Sequence, residues 1–415
     1  MLTRRQFVRG AVSLVSIGTT SHSLLKGAVA FAGMHPESVR AAGADRVLVL
    51  VQLAGGNDGL NTVVPFADGA YRSARTTLAV PEGEVLPIGD GMGFHSSMQR
   101  LHELWQRGKL AVVQGVGYPN QNYSHFKSMA IWQAGDPEVR LDTGWLGRTL
   151  EALEDAEHDP FLGFNVGTAP ARELYSPEVA VPTVSDPDQY GVAFGGETVP
   201  GTDPRVRTLM KLYEQYPAAS PHGVLLETTA ETAVASAELL REAHQRYTPA
   251  VTYPETSFGA GLQVLAEAIV GGLGMRVGHI TLGGFDTHSD QADRHVELLQ
   301  TLDEGLAAFY ADLAAQGHAD RVMVLTWSEF GRRVAENANG GTDHGAASVV
   351  FALGGQVRGG LYGERPRLDQ LVDNGNLGYT TDFRRVYATV IENWFGVPHE
   401  PLMGQRWEPL GFASA

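Results

Sequence analysis

The 415-residue chain contains no cysteine, which excludes disulfides, thiolate metal sites, iron–sulfur ligation and cysteine nucleophiles together. Cationic side chains are scarce as well: 31 Lys and Arg stand against 47 Asp and Glu, a formal net charge of −16. Four of those cations, Arg4, Arg5, Arg9 and Lys26, fall in an amino-terminal stretch without an acid. The remainder is more acidic than the whole and repels a phosphate backbone, so no nucleic-acid partner is expected. After that stretch no uninterrupted apolar run approaches the roughly 20 residues of a membrane helix. No stable membrane span is therefore expected in the mature protein. Charged residues make up only 19% and hydrophobic ones 43%, so the chain can bury a core, and disorder or a coiled coil is excluded as its main description.

The amino terminus reads as an address. Thr3-Arg4-Arg5-Gln6-Phe7-Val8-Arg9 precedes a short, weakly apolar segment, and Ala28-Val29-Ala30 offers a small-x-small cleavage site. A twin-arginine export signal over residues 1–30 fits this order. It implies passage through the twin-arginine translocase and a periplasmic or secreted destination. Proteins exported this way fold in the cytoplasm first, often around a metal or cofactor.

From residue 45 onward the pattern is that of one α/β domain. Arg46 to Leu53 is a continuous apolar run ending in a glycine-rich turn, as expected of a strand buried on both faces. Further strands are expected at 109–115, 277–282, 321–326 and 347–353. Helices are expected around 102–107, 205–247 (broken by Pro217 and Pro221), 262–273, 291–316 and 382–394. Residues 160–260 read as a loop-rich and helical insertion, with loop or short strands over about 160–200. Strands alternating with helices predict a doubly wound, mostly parallel central sheet flanked by helices.

The polar residues of interest gather at strand ends, where open α/β sheets bind ligands. Asn57 and Asp58 follow the first strand among glycines, and Asp58 either meets a ligand or caps the next helix. Asp286 and His288, two residues apart in a loop after the strand at 277–282, can converge on one divalent cation. His295, on a helix face, reads as structural. Glu329 follows the strand at 321–326 as a further ligand candidate, with Arg332 or Arg333 able to bind an oxyanion through paired hydrogen bonds. Asp343 and His344, flanked by glycines, give the sharpest site signal of the chain. Ser124 beside His125 suggests a nucleophile next to a base, or a helix N-cap. Asp90, in a Gly-Asp-Gly turn after a short Pro-broken segment, reads as a loop residue. Trp105, Trp132 and Trp145 either line a groove or pack in the core.

Gly55-Gly56-Asn57-Asp58-Gly59-Leu60-Asn61-Thr62, Ser124-His125-Phe126, Phe285-Asp286-Thr287-His288, Ser328-Glu329-Phe330-Gly331-Arg332 and Asp343-His344-Gly345 occur here in that order. The series resembles the domain-of-unknown-function 1501 family of exported bacterial proteins, which is similar to the alkaline phosphatase and sulfatase superfamily. The resemblance implies an alkaline-phosphatase-like sheet and a site with up to two divalent metals (Zn, Mn, Mg or Ca) held by Asp and His at strand ends. Position by position it puts Asp58, Asp286, His288, Glu329 and His344 at the metal and Ser124 at the nucleophile. The sulfatase signature Cys/Ser-x-Pro-x-Arg is absent, which excludes a formylglycine sulfatase. The expected activity is metal-dependent hydrolysis of a phosphate or related ester in a small-molecule or polymer substrate, with Ser124, His125 and Arg332 as catalytic groups. The alternative is a non-catalytic exported binding or scaffold protein on a degenerate version of this fold. A redox protein is disfavoured by the missing haem and dinucleotide signatures.

Overall fold

A computed structural model describes residues 45–154, 159–194, 197–199, 201, 203–215 and 221–414. The export segment and Pro217 lie outside them. Nine strands build the central sheet: β1 (Val47–Ala54), β2 (Leu110–Gly117), β3 (Gly163–Val166), β4 (Thr183–Val184), β5 (Val277–Gly283), β6 (Val322–Trp327), β7 (Ser348–Gly354), β8 (Gly360–Tyr362) and β9 (Thr381–Asp382). Their order is β8-β2-β7-β6-β1-β5-β3-β4, with β9 also pairing β2. Every pairing is parallel except the two made by β7. The sheet is thus mostly parallel, as its apolar runs predict.

Both faces of β1 are covered, which is why its sequence does not alternate. Val47, Val49, Val51 and Leu53 pack into one core together with residues of α1 (Gln99–Gln106), α4 (Ser257–Val270) and α5 (Gln291–Ala315). Leu48 and Leu50 point into a second core with α2 (His125–Ala134), α3 (Trp145–Leu153) and α6 (Phe383–Ala388). At roughly 1.5–3 kcal/mol per fully buried aliphatic side chain, β1 alone anchors the two layers to each other. Trp132 and Trp145 lie in the second core, stacked on Trp327 and Tyr387 respectively, and Trp105 packs edge-on against Phe94. Packing, not a groove, accounts for them.

Two features refine the sequence reading. The stretch expected as an insertion supplies β3 and β4, which extend the sheet beside β5. Short strands are expected there, but four and two residues carry too little periodicity to show that they join the central sheet. The segment before Asp90 is a genuine strand (Val85–Gly89), but in a separate three-stranded sheet, and Asp90 turns with φ 52°.

The strand order brings the carboxyl ends of β5, β1 and β6 side by side. Because β7 runs the other way, the loop before it reaches the same edge of the sheet. That topology lets Asp343 and His344, which precede a strand, meet residues that follow strands. Close approach of the β1 and β5 loops depends on Gly55 (φ 122°), where a Cβ would fall on the Asp286 amide nitrogen. The Phe285 amide donates to the Ala54 carbonyl at 3.1 Å across the same contact. Gly55→Ala is expected to cost about 1–3 kcal/mol, measured by chemical denaturation, because both the backbone angle and the space are lost.

Candidate metal centre

Arg332 organises the strand ends. Its side chain is fully buried and donates to the carbonyls of Gly55, Gly56 (2.7 Å), Phe285 (2.9 Å) and Thr342 (2.8 Å). It also reaches the Asp286 carboxylate at 2.7 Å. The expectation that Arg332 binds a substrate oxyanion is therefore corrected: its donors are spent inside the protein, on backbone carbonyls of three loops and on Asp286.

Asp58 is corrected in the same way. It caps the short helix Gly59–Thr62, accepting from the Leu60 and Asn61 amides. Both its oxygens pair with Arg75, at 2.6 and 2.9 Å, and Gln291 donates to it at 2.5 Å. Burial disfavours its charge, but the Arg75 ion pair outweighs burial and keeps the carboxyl below the ordinary range. A carboxylate so engaged has no lone pair directed at the cluster, and the helix-capping alternative is what the structure shows. Arg75 and Gln291 carry this arrangement. Neither stands in a motif, and only their tertiary positions identify them.

What does converge is His125, Asp286 and His344. One ligand atom from each lies within 4.8 Å of the others. The Nε2 atom of His344 is 3.2 Å from Asp286 Oδ1, and that of His125 is 3.5 Å from Asp286 Oδ2. His288 joins on the exposed side, its Nε2 at 3.1 Å from Asp286 Oδ1 and 2.9 Å from His344 Nε2. Phe330, buried, packs its ring against both His125 and His344 and closes the floor.

Each imidazole is held from behind through its other nitrogen. His344 Nδ1 lies 2.8 Å from the Tyr123 carbonyl, which can only accept, so this nitrogen carries the proton and Nε2 keeps its lone pair. His125 Nδ1 donates likewise to Glu329 at 2.8 Å. Glu329 is itself buried and receives the Gly55 amide at 3.0 and 3.2 Å. It stands behind His125 as the carboxylate that orients an imidazole, not beside it as a ligand. His288 Nδ1 faces Asp343 at 3.5 Å, and Asp343 accepts from the Asn337 amide at 3.2 Å. Ser124 occupies the N-cap position of α2 but makes no side-chain cap, and it is exposed.

Charge agrees with geometry. Partial burial opposes ionisation of Asp286, yet the Arg332 guanidinium beside it holds its carboxyl down to about 2. Burial, aided by the charges of Arg332 and His125, pushes the His344 imidazole below its ordinary value against the pull of Tyr123 and Asp286. Ionised carboxylate and neutral imidazole are the forms that bind a cation. His295 is buried behind the cluster, donating to Asn57 at 3.1 Å, and is structural as expected. A cavity of about 790 Å³ bordered by Leu162, Gly274 and Arg276 shares no residue with the cluster.

The sequence matches a protein family described as "Protein of unknown function (DUF1501)" over residues 44–403. No curated protein matches it. Among solved structures it is similar to the lipoteichoic acid synthase LtaP from Listeria monocytogenes (12% identity, TM-score 0.38, covering 87% of this chain and 77% of that one). It is also similar to the PsFucS1 sulfatase from Pseudoalteromonas sp. (11%, TM-score 0.38, 96% and 72%). A third is a substituted form of the alkaline phosphatase PafA (10%, TM-score 0.31, 69% and 63%). Similarity of this size assigns no activity to the chain.

Two outcomes follow from the buried groups. Arg75→Met leaves the Asp58 charge buried without its partner and is expected to cost about 3–5 kcal/mol in urea unfolding. His295 is pushed down to about 4 by burial, whereas the unfolded chain takes up its proton near the ordinary 6.5. Stability should therefore fall as pH drops through that window, by on the order of 3 kcal/mol, and His295→Asn should flatten the profile.

Proposed function

The chain belongs to the DUF1501 family, and from the cluster at its strand ends we propose that it is a divalent-metal-dependent hydrolase of phosphate or related esters. The observation that carries this reading is the convergence of His125, Asp286 and His344. In each imidazole of that set Nδ1 is anchored and Nε2 faces Asp286. A donor set of two imidazoles and one carboxylate fits Zn better than Mn, Mg or Ca.

His125, Asp286 and His344 would hold the ion, with His288 on its exposed side. When bound, such an ion polarises an ester oxygen and lowers the pKa of a coordinated water or hydroxyl. The chain's own residues prepare that site. Glu329 and the Tyr123 carbonyl keep the protons of His125 and His344 on Nδ1, and Arg332 keeps Asp286 ionised. The Ser124 hydroxyl, free of hydrogen bonds among the described residues, precedes His125 by one position and is the nucleophile in this reading. Its oxygen bonds to phosphorus or sulfur as the bond to the alcohol oxygen breaks; its proton passes to solvent, and the leaving alkoxide takes one up. Water then releases the product acid.

The same reading places the protein in the periplasm or outside the cell, delivered through the twin-arginine translocase. It acts on a small-molecule or polymer ester. Among the described residues no helix is long and apolar enough to cross a membrane.

The test combines elemental analysis with turnover. Protein loaded with Zn, Mn, Mg or Ca is offered aryl phosphate, phosphodiester and aryl sulfate. We expect near-stoichiometric metal, and His344→Ala should remove the metal and lower turnover by on the order of several powers of ten. Ser124→Ala should do so with metal retained. Absence of turnover in folded, metal-loaded protein defeats the catalytic reading. Substoichiometric metal that His344→Ala leaves unchanged favours the binding or scaffold protein instead.

A further inference from the structure

The proposed hydrolase needs a group that recognises the charge of its substrate, and Arg332, the obvious candidate, is consumed in the fold. Its neighbour differs. The backbone of Arg333 carries structural contacts: its amide donates to the Asp343 carbonyl at 3.0 Å, and its carbonyl accepts from Arg75 at 3.0 Å. Its side chain carries none. Among the described residues the Arg333 guanidinium makes no salt bridge and no hydrogen bond, and its Nε is buried without a partner. A half-buried cation with an unmet donor costs free energy that the protein alone does not recover. That cost is offset when a ligand supplies the anion.

The position of Arg333 says which ligand. Arg332 and His344 form an antiparallel bridge. Arg333 therefore lies opposite Asp343, on the same face of the paired segments. Asp343 in turn faces His288 of the cluster. The Tyr123 carbonyl holds His344, while its phenol donates to Asp373 and accepts from Asn376 at 3.0 Å each. Asp343, the acid opposite Arg333, is thus already committed to Asn337 and His288.

We propose that Arg333 is the anion-recognising residue of this site, selecting esters whose acid group carries negative charge, phosphate or sulfate, over neutral carboxylic esters. A guanidinium presents paired donors that match two oxygens of a tetrahedral oxyanion. The inference rests on the ester-hydrolase reading for the word substrate, but anion binding can be measured without turnover.

Binding of inorganic phosphate and of sulfate is therefore measured by calorimetry on zinc-loaded and on metal-free full-length protein, for the native chain, Arg333→Gln and Arg333→Lys. Thermal midpoints and zinc content are recorded alongside. Arg333→Gln should weaken phosphate binding about tenfold or more with zinc content unchanged, and Arg333→Lys should recover part of the loss. With p-nitrophenyl esters, the phosphate should suffer and the acetate should not. Anion affinity in both variants within about twofold of native overturns the proposal, whichever metal state is used. Should the protein take up no zinc, the hydrolase reading fails, and the metal-free comparison still decides whether Arg333 binds the anion.

Discussion

One buried guanidinium ties the functional edge of the sheet together. Arg332 donates to carbonyls of the loops that leave β1 and β5 and of the loop that enters β7. These oxygens lie outside the ladders of the sheet, and a buried carbonyl left unpaired costs on the order of 1–3 kcal/mol. Geometry and charge are coupled there, because the same guanidinium pairs with Asp286 and lowers its pKa. A planar, permanently charged fork suits this task, whereas the single ammonium of a lysine could not span four carbonyls and a carboxylate.

Behind the donors lies a layer of polar groups that sets their orientation. Glu329, the Tyr123 carbonyl and Asp343 face the Nδ1 atoms of three histidines, so three Nε2 atoms turn toward Asp286. A second buried network, Asp58 with Arg75 and Gln291, stands deeper still. Gln291 joins that network to the loops of the cluster, since its side-chain oxygen accepts from Thr287 at 3.1 Å and from Thr342 at 2.6 Å. Such layering is how a protein holds mutually repelling or proton-competing groups in one small volume: every group's unused valence is fixed by something that cannot move.

Much of this was legible before any coordinates. The apolar runs at β1, β2, β5, β6 and β7 announced buried strands, and the glycine-flanked Asp286-x-His288 and Asp343-His344 pairs marked the strand ends whose side chains come together. The roles of the two most prominent charged candidates were misread. Asp58 sits in the longest family-like string, yet its partner Arg75 lies in an unremarkable stretch, so no local pattern could show that its charge was already neutralised. Arg332 and Arg333 are adjacent and chemically identical, and only burial separates the one that builds the fold from the one left free.

What the sequence determined by itself were the properties set by composition and local pattern. These are the acidic, cysteine-free character, the twin-covered parallel strands, and the identity of the imidazoles and carboxylates at strand ends. Hydrophobic period and residue type are local quantities, and they survive without knowledge of neighbours. Which of those side chains share one small volume was decided by tertiary structure alone. Strand order, the reversed direction of β7 and the partners that consume Asp58 and Arg332 arise from contacts between residues hundreds of positions apart, and a charge's role depends on what lies within a few ångströms of it.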